Sequence, residues 1–209
     1  MGARKELVIS GPGGGKTTYL VSHAIQPSTV SLDPVGALRK RVAGHVEIMH
    51  ADRPDALAFL RSPLLDLIRA QRAVLIDVSS LLPSQAHALG DALGFLLRDH
   101  FRNGTLVVDE FQNLVPKVNA VDNGLVNFIT KSRNFNVEVV LSVHRPQMAN
   151  TDVRGLVDTT RIGRMSEPLD VEMARKVLGL PASEETALAA RLSNLQPGEW
   201  IVKRSAAPG

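Results

Sequence analysis

Leu7-Val8-Ile9-Ser10-Gly11-Pro12-Gly13-Gly14-Gly15-Lys16-Thr17-Thr18 sets an apolar run directly before a glycine-rich turn that ends in Lys-Thr. An apolar strand, such a turn, and a helix opening on Lys-Thr form the phosphate-binding loop, or P-loop, arrangement. Backbone N–H groups of the turn and of the helix N-terminus surround a phosphate there. Gly11, Gly13, Gly14 and Gly15 let the backbone curl through positive φ and approach phosphate oxygens with no Cβ in the way. Lys16 is expected to reach the β- and γ-phosphates and the Thr17 hydroxyl to ligate Mg²⁺, with Thr18 completing the cradle. Ser10 stands where the pattern usually begins with glycine, but the loop length and the Gly-Lys-Thr end are intact. An incidental lysine in a flexible turn would not need the strand before it or the helix after it. The stretch reads as a nucleoside triphosphate site.

Composition sets the frame around that loop. The 209 residues suit one α/β domain, and 44% hydrophobic content can fill its core. Apolar stretches are strand-sized or amphipathic, and none approaches the ~20 residues that span a bilayer. Met1-Gly2-Ala3-Arg4-Lys5-Glu6 leads straight into a strand, so no signal peptide is expected. The absence of cysteine excludes disulfides and thiolate metal sites and suits a cytoplasmic protein. A net charge of +3 is too mild to identify a nucleic-acid binder by itself. One Trp and one Tyr argue against a base-stacking platform.

Strand-like and helix-like runs alternate almost to the end. Strands are expected at 7–10, 29–33, 45–50, 73–78, 105–109, 137–143, 160–164 and 199–203. Runs such as Val74-Leu75-Ile76 and Val139-Val140-Leu141 are apolar on both faces, as in a sheet covered by helices on both sides. Amphipathic helices are expected near 16–25, 54–69, 84–101, 121–134, 169–178 and 184–193. Pro63 is expected to split the second of these, Ser84 to cap the third, and Asn103-Gly104 to stop it. The alternation implies a mostly parallel central sheet with right-handed crossovers. Residues 1–204 read as a single domain and 205–209 as a loose tail.

Leu106-Val107-Val108-Asp109-Glu110 supplies the acidic partner that a P-loop needs, two carboxylates where an apolar strand leaves the sheet. Asp109 is expected to hold Mg²⁺, and Glu110 to orient and deprotonate the water that attacks the γ-phosphate. A base at this place suits a hydrolysing motor better than a small-molecule kinase, which must exclude water. It also argues against a slow regulatory switch. Positive charge for the transition state is expected from an arginine, with Arg133 and Arg145 the candidates in the next helix–strand unit.

Four segments, in order, resemble the FtsK–HerA superfamily of DNA-pumping ATPases. They are the P-loop itself, then Val30-Ser31-Leu32-Asp33-Pro34-Val35-Gly36, similar to the Asp-Pro-x-Gly end of the family's second strand. Val74-Leu75-Ile76-Asp77-Val78-Ser79-Ser80-Leu81 is similar to the Ile-Asp-Leu-Ser-x-Leu strand of the HerA branch. Val108-Asp109-Glu110-Phe111-Gln112-Asn113, followed by Ser132-Arg133-Asn134 and then Leu141-Ser142-Val143-His144-Arg145-Pro146, resembles the Walker B, Ser-Arg-Lys and Gln-Arg-Pro succession.

The resemblance implies an α/β, RecA/FtsK–HerA-like P-loop NTPase fold and ATP hydrolysis with Mg²⁺. It makes Arg133 a finger acting on the neighbouring subunit's nucleotide, and it sets His144 where the family has its sensor glutamine. In size and layout the chain is similar to the genome-packaging ATPases of membrane-containing icosahedral viruses. That likeness implies a homo-oligomeric ring, usually a hexamer, moving double-stranded DNA with little sequence specificity. It also implies a viral capsid or membrane vertex as partner, in the host cytoplasm or on the virion. Arg39-Lys40-Arg41 and Lys117 are then the expected DNA contacts. Related pumps for conjugation, DNA resection or filamentous-phage export are the nearest alternative.

Overall fold

The computed structural model describes residues 3–53, 55–115, 122–149 and 151–205. Its centre is an eight-stranded sheet in the order β3-β4-β2-β5-β6-β1-β7-β8. The strands are β1 (Lys5–Ile9), β2 (Thr29–Asp33), β3 (Glu47–His50) and β4 (Val74–Asp77), then β5 (Gly104–Val108), β6 (Val137–Val143), β7 (Thr159–Ile162) and β8 (Ile201–Arg204). All neighbours run parallel except the last pair, in which β8 returns antiparallel to β7. Every expected strand is present, and the mostly parallel sheet is the one the alternation implies.

Side-chain alternation along the strands divides the core into two layers. Val8, Leu75, Val107 and Val140 point to one face and pack with Leu20 and Ala24 of α1 (Lys16–Ala24) and with Leu38 and Val42 around α2 (Arg39–Val42). Leu7, Ile9, Ile76, Val108 and Leu141 point to the other, larger face. That face is covered by α3 (Ala56–Arg69), α4 (Pro83–His100), α5 (Gly124–Lys131), α6 (Thr151–Leu156), α7 (Pro168–Leu178) and α8 (Glu185–Asn194). The closest helix pairing is α4 with α5. An added Cβ on Gly94 would lie 2.0 Å from the Gly124 carbonyl carbon, so the two backbones touch there.

Three local expectations are corrected. Helix α3 runs unbroken through Pro63. Pro63 and its neighbours Arg61 and Ser62 face solvent, so water can satisfy the carbonyl group that the proline leaves free. Helix α4 starts at Pro83 rather than behind a Ser84 cap, because proline fits the first helical position and the Gln85 side chain accepts the Leu82 N–H at 2.9 Å. Helix α5 is shorter than 121–134. Asn123 caps it by accepting the Leu125 and Val126 N–H groups, and Ser132–Phe135 tightens into a 3₁₀ turn. The short helices α2 and α6 were not expected. The anticipated tail falls, apart from Ser205, outside the described residues.

Candidate active site

The P-loop leaves the sheet between two parallel neighbours, since β1 lies between β6 and β7. Ser10 is fully buried beneath the loop, and Gly11 donates its N–H to the Arg164 carbonyl at 3.1 Å. Gly13 and Gly15 have φ of 73° and 93°, backbone that a side chain strains. Gly14 has no room for one either, because an added Cβ would lie 1.7 Å from Ser10 Oγ. The loop therefore arches as a phosphate cradle must and delivers Lys16 as the first residue of α1.

Lys16 is buried, with its ammonium donating to the Ser10 carbonyl at 2.5 Å and to His144 Nδ1 at 3.2 Å. Burial pulls this ammonium below the ordinary lysine range, against the attraction of Glu110 and Asp109. Glu110 Oε1 is 4.0 Å from Lys16 Nζ. Its other oxygen, Oε2, meets His144 Nε2 at 3.0 Å and accepts from Gln112 Nε2 at 2.5 Å. Burial, and secondarily the Lys16 ammonium, lowers the His144 pKa. The imidazole is therefore neutral near pH 7, accepting from Lys16 at Nδ1 and donating to Glu110 at Nε2.

The strand order explains how the two carboxylates are held. Strand β5 carries Asp109 and Glu110 beyond its end, between β2 and β6. Ser142 of β6 donates its hydroxyl to Asp109 Oδ1 at 2.6 Å and accepts the Glu110 N–H at 3.0 Å. Glu110 itself sits at φ 46°, so the backbone is bent to aim its side chain. Burial pushes the Glu110 carboxyl up to about 7, with the Gln112 hydrogen bond and Lys16 pulling the other way. Asp33, at the end of β2, is also fully buried, and burial raises its pKa too, with Asp109 adding to the rise. Asp33, Asp109 and Glu110 thus gather at the ends of the neighbouring strands β2 and β5, with Lys16 beside Glu110.

Of the residues singled out in the sequence, Gly11, Gly13, Gly14, Gly15, Lys16, Thr17, Thr18, Asp109, Glu110 and His144 line one pocket of about 370 Å³. Arg133 does not. It lies in the 3₁₀ turn before β6, at the end of the strands opposite the P-loop, and pairs with Asp158. The length of β6 separates it from His144 by on the order of 20 Å. Arg145 and Arg164 instead border a neighbouring cavity of about 700 Å³ beside Gly11 and Pro12. Arg39 is held by Asp77 at 2.5 Å, and Lys117 lies outside the described residues. Sequence reading passed over Asp33, Gln112 and Ser142 as site residues, although a lone serine in the apolar run 137–143 was a signal.

Fold and site together define a P-loop ATPase. Residues 7–166 match the family model described as Zonular occludens toxin (Zot), and the chain belongs to that family. Among solved structures it is similar to the DNA-packaging ATPase B204 of Sulfolobus turreted icosahedral virus, at 13% identity and a TM-score of 0.65 over 98% of this chain and 94% of that one. The genome-packaging NTPase B204 of Sulfolobus turreted icosahedral virus 2, in complex with AMPPCP, matches at 16% identity and a TM-score of 0.64, over 97% and 92% of the two chains. VirB4 of Thermoanaerobacter pseudethanolicus matches at 13% identity and 0.58, over 98% and 90%. These likenesses are of fold. No curated protein matches the chain in sequence.

Proposed function

We propose that this chain is the motor subunit of a ring that hydrolyses ATP to move double-stranded DNA, in the manner of a viral genome-packaging ATPase. The observation that carries the reading is Glu110, a buried base oriented by His144 and Gln112 beside the P-loop lysine. On a fold shared with genome-packaging NTPases, such a group makes the protein a repeated hydrolyser of ATP.

The residues divide the work. The P-loop amides and Lys16 bind the β- and γ-phosphates, and Glu110 takes a proton from the attacking water. Ser142 holds Asp109 by one oxygen, Oδ1, and so leaves Oδ2 to a cation. Asp109 and the Thr17 hydroxyl would hold Mg²⁺, which neutralises charge on the phosphates when bound. His144 takes the sensor position, close enough to both Lys16 and Glu110 to register the γ-phosphate. No helix among the described residues is long and apolar enough to cross a membrane.

ATPase assays with and without DNA test the motor reading. Linear duplex DNA is expected to accelerate hydrolysis whatever its sequence, with the effect falling steeply as salt rises. Displacement of a triplex-forming strand from the duplex is expected to require ATP. Hydrolysis indifferent to DNA would overturn the proposal. One second reading stands beside it, the related pump that exports filamentous-phage DNA. In that case single-stranded circles are expected to stimulate more than duplex.

Arg133 requires the ring. It cannot reach its own P-loop from the opposite end of the strands, but a head-to-tail contact can present it to the next subunit. A guanidinium suits charge spread over several phosphate oxygens. Arg133→Ala and Glu110→Gln subunits should each be nearly inactive alone. Mixed rings are expected to recover hydrolysis wherever a sound P-loop and Glu110 meet a sound Arg133. Full activity of Arg133→Ala alone would move the role to Arg145, Arg161 or Arg164.

A further inference from the structure

The P-loop forms one wall of the 370 Å³ pocket, and the opposite wall comes from the segment after β2, through Val35, Ala37 and Arg41. This second wall is built firmly. Asp33 accepts the Arg39 N–H at 2.7 Å and the Val35 N–H at 3.3 Å, one on each carboxylate oxygen. Gly36, at φ 71°, makes the turn between them. Arg39 is locked to Asp77, and Leu38 and Val42 are fully buried against α1 and the sheet. Helix α2 is thereby clamped at both ends, with Arg41 carried on its exposed side into the pocket lining.

The Arg41 side chain has no hydrogen bond or ion pair among the described residues. The other arginines considered for this reaction are placed differently. Arg133 is tied to Asp158 and Arg161 to Glu6, while Arg145 and Arg164 border the adjoining cavity. An exposed arginine with no partner is most often solvated surface or, on a DNA motor, a phosphate contact to DNA. The pocket wall it occupies points elsewhere.

We propose that Arg41 grips the phosphate chain of the bound nucleotide from within the same subunit, across the pocket from the P-loop. A guanidinium fork matches two phosphate oxygens at once and stays charged at every working pH. Among the described residues Lys16 is the only cation on the P-loop wall, so a second one opposite it holds the chain from both sides. This role rests on the P-loop ATPase assignment and is separate from the trans role of Arg133.

Affinities for Mg·ATP, Mg·ADP and AMP, measured by calorimetry without DNA, test it. The proteins are wild type, Arg41→Ala, Arg41→Lys, Lys16→Ala and, as a surface control, Arg61→Ala. Arg41→Ala is expected to weaken Mg·ATP and Mg·ADP binding about 10- to 100-fold and AMP binding little, the loss of a charged hydrogen bond to phosphate. Arg41→Lys should restore part of the loss, and Arg61→Ala should match wild type. Unchanged Mg·ATP affinity with weakened DNA binding would overturn the proposal in favour of a DNA contact. Equal losses for AMP and ATP would overturn it in favour of a nucleoside contact. If Lys16→Ala loses Mg·ATP binding and Arg41→Ala does not, the Arg41 role falls alone. If wild type binds no nucleotide, the site assignment falls with it.

Discussion

Lys16→Ala is expected to bring ATP hydrolysis to background, a loss of about 10²–10³-fold or more, in a protein that remains folded. The ammonium is the cation that the P-loop itself carries into the site. Removing a positioned donor from a developing phosphate charge costs on that scale. Lys16 spends its hydrogen bonds on the Ser10 carbonyl and His144, not on the apolar layers, so its loss opens no core cavity. It does leave Glu110 with less compensation. That carboxyl already has its pKa raised to about 7 by burial, and it can take up a proton in place of its lost partner. Circular dichroism and urea unfolding should therefore show a native fold, while phosphate release shows no turnover. Wild-type hydrolysis by this variant would remove Lys16, and with it the P-loop, from the mechanism.

The parts of this site that were legible in the sequence are those encoded locally. Strand, glycine turn and Lys-Thr follow one another along the chain, so Gly11 to Thr18 could be placed by order alone. Asp109-Glu110 likewise announce themselves at the end of an apolar run. The contributions of Asp33, Ser142 and Gln112 were not legible, because they depend on which strands become neighbours. Only the order β2-β5-β6 brings Asp33 and Ser142 to either side of Asp109.

Arg41 shows the same limit. Read as a sequence, Arg39-Lys40-Arg41 is one basic run. Folded, Asp77 claims Arg39 while Arg41 reaches the nucleotide pocket. The effect of Pro63 depends on the fold in a related way. Whether a proline breaks a helix depends on which face it occupies, and the apolar pattern of α3 hides that Pro63 lies on the wet one.

Glu110→Gln is expected to bind Mg·ATP about as well as wild type and to turn it over at least ~100-fold more slowly, the cost of losing a general base. The amide keeps the size of the side chain and can still bond to His144 and Gln112, but it cannot take the proton of the attacking water. Asp109→Asn should behave differently, because the charge it removes is the one that would hold Mg²⁺; nucleotide binding in the presence of Mg²⁺ should fall. Equal loss of Mg·ATP binding in both variants would contradict the separate roles. The raised pKa gives the wild type a pH signature. A base works only when deprotonated, so kcat/KM should fall as pH drops through about 7, about tenfold for each further unit. At pH 8 the carboxylate of the free enzyme is ionised and kcat/KM should lie on its plateau. The residual activity of Glu110→Gln should lack this acid limb, since no titrating base remains at that position. An acid limb that persists unchanged in the variant would assign the titration to another group and take the role of base away from Glu110.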